Sequence, residues 1–109
     1  MEKADLGQLG ENMAVKYLQS KSYLILERNW RFARKEIDII AQLKGQIVFV
    51  EVKTRDNAYM GPPWQAVGIG KQKTIIATAH EYIVQHDIDL EPRFDIISIV
   101  YNKKYSNLE

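Results

Sequence analysis

The chain has 109 residues, of which 46% are hydrophobic and 27% are charged, and it contains no cysteine. A chain of this length supports one hydrophobic core, so we expect a single domain spanning residues 1–109. The lack of cysteine excludes disulfide scaffolds, cysteine-ligated zinc sites and thiol catalysis, and it fits a cytoplasmic location. No run approaches the roughly 20 apolar residues of a membrane helix, so we expect no membrane association.

The charges are distributed unevenly, although 15 Lys and Arg side chains nearly balance 14 Asp and Glu side chains. Residues 27–80 carry nine basic and five acidic side chains, whereas residues 81–95 carry one basic and five acidic side chains. The net charge of +1 therefore hides a basic middle segment behind an acidic one. The basic segment, residues 27–80, either faces an anionic partner or is an ordinary solvated surface, and the charge pattern alone leaves both interpretations open.

Hydrophobic periodicity predicts six elements in the order αβββαβ. Apolar residues at helical spacing predict a first helix from Asp5 to Ser20, with an apolar stripe of Leu6, Leu9, Met13, Ala14, Tyr17 and Leu18. Short apolar runs predict strands at residues 23–30, 36–41, 47–53 and 94–101. A second helix is predicted from Gly70 to His86, with a stripe of Ile75, Ile76, Ala79, Tyr82 and Ile83. This order predicts an α/β fold with a mixed central sheet flanked by helices.

The two middle strands are expected to form a hairpin around Lys44-Gly45, where Gly45 supplies the positive φ of a tight turn. In that register Asp38 lies directly opposite Glu51. Strand alternation then predicts two faces, a partly charged one with Glu36, Asp38, Ile40, Phe49, Glu51 and Lys53 and an apolar one with Ile37, Ile39, Val48, Val50 and Val52.

Two carboxylates opposite each other on a sheet repel, because their Cβ atoms lie only about 4.5–5.5 Å apart. A hard divalent cation removes this repulsion, and magnesium takes one or two carboxylates while water and a phosphate supply the rest. Lys53, two residues after Glu51, could hold an attacking water or offset charge on the phosphate. Glu11 flanks the first helix stripe and reaches the same ion if that helix packs on the charged face. The alternative is a solvated strand end with an ordinary helix-flank glutamate.

The same residues resemble a known group of nucleases. Asp38, twelve intervening residues and then Glu51-Val52-Lys53, on an αβββαβ chain, are similar to the PD-(D/E)XK nuclease superfamily with its restriction-endonuclease-like fold. More closely, five segments resemble the YraN-type family of small bacterial proteins, which is similar to archaeal Holliday-junction resolvases. These segments are GENMA at 10–14, ILERNW at 25–30, EIDII at 36–40, VFVEVKTR at 48–55 and RFD at 93–95.

This resemblance implies roles for four residues. Asp38 and Glu51 would be ligands of Mg²⁺ or Mn²⁺, Lys53 the catalytic lysine, and Glu11 the first-helix carboxylate of the same metal-binding, catalytic set. Ile37 stands where the superfamily signature has proline. The implied activity is hydrolysis of phosphodiester bonds in DNA, expected to be branched or structured, and junction resolution would require a homodimer because it needs two active sites.

A basic surface around this site is expected to contact the phosphates of a nucleic acid. Its members are Arg28, Arg31, Arg34, Lys35, Arg55, Lys71, Gln72 and Lys73, the last three at the start of the second helix. In the loop predicted at 55–64, Tyr59, Met60 and Trp64 either contact an unstacked base or a partner subunit or, for Trp64, close the core. A binding module with little or no catalytic turnover is the second functional hypothesis, and a protein-interaction or structural domain is the third.

Overall fold

The structure is a computed structural model that describes residues 3–55 and 67–100, with side chains from Leu6 onward. Its elements, in chain order, are α1 (Lys3–Ser20), β1 (Leu24–Phe32), β2 (Lys35–Leu43), β3 (Gln46–Arg55), α2 (Ile69–Gln85) and β4 (Glu91–Val100). This order confirms the predicted αβββαβ arrangement, the restriction-endonuclease-like α/β core. Neither helix is long and apolar enough to cross a membrane, in the part of the chain that the structure describes.

The four strands form one mixed sheet in the order β1-β2-β3-β4. The first three strands are antiparallel to one another, and β4 is parallel to β3. A parallel pair needs a crossover connection, and α2 lies in the chain between β3 and β4. The predicted mixed sheet is therefore confirmed, with β4 as one of its edges.

The predicted hairpin register is confirmed from Leu43, opposite Gln46, as far as Ile39, opposite Val50. The turn differs in one detail, because the positive φ of 54° lies at Lys44 rather than at Gly45. A lysine tolerates this conformation at a modest energetic cost, so the glycine is not the residue that makes the turn possible.

The ladder between β2 and β3 stops at Ile39 and Val50, one position before Asp38 would face Glu51. The prediction that these two acids are directly paired in the ladder is therefore wrong. The two side chains are nevertheless close enough to share a hydrogen bond. Their proximity comes from a local departure from the regular sheet.

Both faces of the sheet are buried, each by one helix. On one face α1 packs through Ala14, Val15 and Leu18 against Ile39, Ala41, Val48 and Val50. On the other, α2 packs through Ala79 and Tyr82 against Ile37, Ile40, Ile47 and Phe49. The face predicted to be partly charged thus holds a second core under α2, and α1 covers the opposite face.

The predicted stripe of α1 is confirmed at Ala14 and Leu18, which are buried, and is wrong at three other positions. Leu9, Met13 and Tyr17 are 36%, 50% and 55% exposed, whereas Gly10 and Ala14 are buried. A Cβ atom at Gly10 would overlap the Thr54 hydroxyl of β3, so the helix backbone lies directly on the strand there. Small residues decide which side faces the sheet, because they allow this close approach.

Candidate functional site

Asp38 lies where β2 leaves the β3 ladder, and its carboxylate turns back to β3. Its Oδ2 accepts a hydrogen bond of 2.8 Å from the Val52 backbone N–H. Ile37 belongs to the α2 core and Ile39 to the α1 core, so the strand breaks its regular alternation at Asp38. This corrects the prediction that Ile37 and Ile39 share a face. The bent strand places a carboxylate in the widening gap between β2 and β3.

The environment of Asp38 raises its pKa from 3.8 to about 7. Burial is the largest cause, and the Val52 N–H opposes it because this donor favours the charged carboxylate. The charge of Glu51, a hydrogen bond to Glu51 and the charge of Glu11 raise the pKa further. Below about pH 7, Asp38 therefore holds a proton beside the carboxylate of Glu51.

Glu11 approaches this pair from α1 and is held by β1. Asn29 Nδ2 donates a hydrogen bond of 3.0 Å to Glu11 Oε2, and Arg28 Nη2 lies 3.7 Å from Oε1. The buried Oε1 accepts no hydrogen bond from any residue that the structure describes. Asn29 has a left-handed φ of 51°, a conformation that asparagine adopts more readily than most residues. Glu11 thus adds negative charge beside Asp38, although α1 covers the face opposite α2.

The acidic cluster is organised as a pair with a third charge nearby. Among residues 3–55 and 67–100, no three His, Cys, Asp or Glu side chains converge closely enough to hold a metal ion as a group. Asp38 and Glu51 are in hydrogen-bond contact, whereas Glu11 influences Asp38 through its charge alone. Two hard oxygen donors match the one or two carboxylates with which proteins usually bind magnesium, which keeps several waters.

Two lysines flank the acidic pair. Lys71 Nζ, from the first turn of α2, lies 3.7 Å from Glu51 Oε2. Lys53 follows Glu51 by two residues on β3, roughly 7 Å along the strand and on the same side. Its side chain is exposed and makes no ion pair or hydrogen bond within the described parts of the chain. The site therefore presents one ammonium group already engaged by an acid and one available to a ligand.

Comparison with known proteins identifies the family. The sequence model of "Uncharacterised protein family UPF0102" matches residues 10–99. The chain belongs to the UPF0102 family. It is 44% identical to a UPF0102 protein of Flavobacterium psychrophilum over 108 residues, covering 99% of this chain and 91% of that protein. A relative from Caldanaerobacter subterraneus is 44% identical, and the match covers 100% of this chain and 90% of that protein. A relative from Clostridioides difficile is 43% identical, and the match covers 98% of this chain and 95% of that protein.

Five of the predicted phosphate contacts in this UPF0102 protein are engaged within the fold, among them Lys71 through its ion pair with Glu51. Arg28 donates to Asn12 Oδ1 at 2.7 Å, and Arg31 lies 3.6 Å from Glu36. The remaining two bonds are from Arg55 Nη2 to Ser98 Oγ at 3.1 Å and from Gln72 Nε2 to the Val67 carbonyl at 2.7 Å. Arg55 is half-buried and ends β3, whereas the sequence predicted that it begins a loop.

The other predicted phosphate contacts are exposed. Arg34 and Lys35 lie at the turn between β1 and β2, and Lys73 lies in the first turn of α2. None of these three forms an ion pair or hydrogen bond with another described residue. The structure therefore separates the basic residues into those that pair with other protein groups and those that have no such partner among the described residues. Tyr59, Met60 and Trp64 lie outside the described residues.

Two residues that support the UPF0102 site were not predicted as functional. Gly10 allows α1 to lie against Thr54 and so sets the position of Glu11, and Asn29 holds the Glu11 carboxylate. Both occur inside segments by which the chain resembles its family, but periodicity assigns neither a role. A glycine within an amphipathic helix and an asparagine within a strand are the signals that point to them.

Proposed function

We propose that this protein is a divalent-metal-dependent nuclease that hydrolyses phosphodiester bonds in DNA. One observation carries the proposal: the carboxylates of Asp38 and Glu51 lie within hydrogen-bond reach of each other, with Lys53 and Lys71 beside them. Burial first, and then the charge of Glu51, raise the pKa of Asp38 to about 7. Two adjacent carboxylates that repel each other when ionised form a binding site for a cation. The motif spacing and the resemblance to the PD-(D/E)XK superfamily agree with this assignment.

The donor set fits Mg²⁺ or Mn²⁺, because carboxylate oxygens are the protein ligands that hard cations prefer. Asp38 and Glu51 would hold the ion, and Glu11 would add a third negative charge nearby. Its buried Oε1 accepts no hydrogen bond within residues 3–55 and 67–100. Such a cation, when bound, lowers the pKa of a water and offsets charge on a phosphate.

The protein side chains prepare the site in three ways. The Val52 N–H orients the Asp38 carboxylate, and Asp38 must release its proton before it acts as a ligand. The exposed ammonium of Lys53 offsets the negative charge that develops on the reacting phosphate. Lys71 pairs with Glu51 across 3.7 Å, and because the lysine itself is half-exposed, its ammonium group would be able to turn to a phosphate oxygen instead.

Binding of DNA would rely on the solvent-facing cations near this site. Arg34, Lys35 and Lys73 are exposed, so they would neutralise phosphates and make affinity fall as salt rises. The resemblance to junction resolvases extends the proposal to branched DNA and to a homodimer, because cutting two strands of a junction needs two sites. Sedimentation velocity with and without a four-way junction would measure the number of protein copies bound.

A cleavage panel tests the proposal directly. Junction, flap, single-stranded and duplex DNA are incubated with Mg²⁺, Mn²⁺ or EDTA, and wild type is compared with Asp38→Asn and Lys53→Ala. The matched control is Glu36→Gln, which removes a carboxylate of the same strand that pairs with Arg31. We expect metal-dependent product from wild type and Glu36→Gln, and a loss of at least a hundredfold in the other two variants.

Two outcomes would contradict the proposal, the first in the role it gives to the acidic pair and the second in the activity itself. Unchanged cleavage by Asp38→Asn would show that the acidic pair does not hold the metal. Salt-sensitive binding without product on any substrate, and without dependence on metal, would support the binding module instead.

A further inference from the structure

An apolar pocket of about 160 Å³ lies beside Glu51 on the α2 side of the sheet. Its walls come from β3, α2 and β4 and include Phe49, Ile75, Ile76 and Phe94. Glu51 itself forms part of the lining, so the pocket is continuous with the proposed metal site. A molecule that places a phosphate at Asp38 and Glu51 therefore has an adjacent apolar space for another of its groups.

We propose that this pocket receives one unpaired nucleobase of the DNA strand whose phosphate lies at Asp38 and Glu51. The inference rests on the proposed function, because it assumes that a phosphate of the DNA strand lies at the proposed metal site. It adds a specificity that the acidic pair cannot supply, namely a preference for DNA with an unstacked nucleotide at the cutting position.

The size of the pocket fits a single aromatic ring. An apolar cavity of about 150 Å³ in a protein core is large enough to bind benzene. The pocket beside Glu51 has nearly the same volume, which is sufficient for one six-membered ring such as that of thymine or cytosine. A two-ring purine would have to extend out of the pocket towards solvent.

The walls provide an aromatic surface for such a ring. Phe94 stacks on the buried Phe49, with ring centroids 5.5 Å apart and planes inclined by 24°. Phe94 is nevertheless 43% exposed, so part of its ring is available for further contact. Nucleobases stack readily on aromatic side chains, and every base has a suitable face. Ile76 is 53% exposed and lines the same pocket from α2.

The polar groups of the pocket are compatible with a neutral base. Asp95 accepts hydrogen bonds of 3.1 and 2.8 Å from Arg93, and Glu51 is paired with Lys71, so both negative charges are compensated. The Gln72 amide donates through Nε2 to the Val67 carbonyl, which leaves its Oε1 to accept from the edge of a base. The lining therefore combines an apolar ring site with an uncharged hydrogen-bond acceptor, the amide oxygen of Gln72.

A base enters such a pocket only after it leaves the helical stack. The free-energy cost of unstacking is smallest for a nucleotide that is already unpaired, as in a bulge or at a branch point. We therefore expect the protein to bind a duplex with one unpaired thymidine more tightly than the same duplex with an abasic residue there.

The experiment compares these two duplexes by fluorescence anisotropy, with Ca²⁺ in place of Mg²⁺. We expect wild type to favour the thymidine bulge by about fivefold to a hundredfold, the range for stacking one base. Ile76→Trp should fill the pocket, and Phe94→Leu should remove the stacking ring, so both should bring the ratio near one. The matched control is Val84→Trp, on the same helix, 61% exposed and outside the pocket lining, which should keep the wild-type ratio.

The location of the base is read separately by photocrosslinking. A 5-iodouracil placed at the bulge should crosslink to peptides that contain Phe94 or Ile76 in wild type, and the yield should fall in Ile76→Trp. Equal affinity of wild type for both duplexes, an unchanged ratio in both pocket variants, or a crosslink elsewhere would overturn the pocket assignment.

The two proposals fail in different ways. Metal-dependent cleavage with no preference for the thymidine bulge would overturn the pocket and leave the nuclease intact. A preference without cleavage of any DNA would leave the pocket and overturn the nuclease. Absence of DNA binding at low salt would overturn both.

Discussion

Replacing Asp38 by asparagine should make the stability of this protein less dependent on pH. Asparagine keeps an oxygen that accepts from the Val52 N–H, but it carries no negative charge beside Glu51. Between pH 3.8 and about 7, the folded wild type holds a proton on Asp38 that the unfolded chain has already released. The free energy of unfolding therefore falls as pH rises through this window, and this contribution is constant outside it.

The magnitude follows from the size of the pKa change. Each unit corresponds to about 1.4 kcal/mol, so full protection from solvent would make the wild type lose roughly 2–3 kcal/mol between pH 5 and pH 8.5. Asp38 is only half-buried, and solvent screening reduces this figure to about 1–2 kcal/mol. The free energy of unfolding of Asp38→Asn, measured relative to that of the wild type, should therefore be higher by this amount at pH 8.5 than at pH 5.

Urea denaturation at the two pH values measures this difference. Asp38→Ala also removes the acceptor for Val52 and should cost about 1 kcal/mol at both pH values compared with Asp38→Asn. Glu36→Gln controls for the loss of one negative charge from the same strand. If the free energies of unfolding of wild type and Asp38→Asn differ by the same amount at pH 5 and at pH 8.5, the raised pKa of Asp38 is refuted.

Metal binding should act on the same proton. If Mg²⁺ or Mn²⁺ binds the ionised pair, calorimetry at pH 7 in buffers of different ionisation enthalpy should detect proton release by the wild type and none by Asp38→Asn. Identical heats in all buffers would contradict the role of Asp38 as a metal ligand.

Three further predictions concern the framework of the site. Gly10→Ala should lower the free energy of unfolding by about 1–3 kcal/mol, because the new Cβ atom meets Thr54. The control Gly7→Ala has open space around it and should be neutral or stabilising. Equal melting temperatures of the two variants would contradict this prediction. Arg93→Met should cost about 1–3 kcal/mol in urea denaturation, since Arg93 donates to three neighbouring side chains, and a smaller loss would show that these bonds are dispensable. Lys53→Ala should change stability by less than about 0.5 kcal/mol while reducing cleavage, and parallel losses of both would argue for a structural lysine.

Local patterns were sufficient to predict the elements and the hairpin register. Alternating apolar residues on both strands and a two-residue turn determine which residues face each other, and both signals lie within a dozen neighbouring residues. The prediction held from Leu43 to Ile39 for this reason. It failed at Asp38, where a side chain from one strand binds the backbone of the next and the ladder ends.

Helix faces were harder to predict, because apolar periodicity does not identify the packing partner. On α1 the prediction placed Leu9, Met13 and Tyr17 on the buried side with Ala14 and Leu18, yet only the last two are buried and Gly10 joins them. At Gly10 the helix lies so close to Thr54 that a side chain does not fit, which is a property of the pair of elements and not of the helix alone.

The sequence by itself determined the fold class, the family and the identity of the candidate acids, because spacing along the chain is enough to bring Asp38 and Glu51 to adjacent strands. Only the tertiary structure decided how those acids are held. It bends β2 so that Asp38 meets the Val52 N–H, brings Lys71 from α2 to Glu51, and opens an apolar pocket between α2 and β4. These features depend on contacts between elements distant in the chain, and their geometry is set by packing across the two faces of the sheet, which no local pattern encodes.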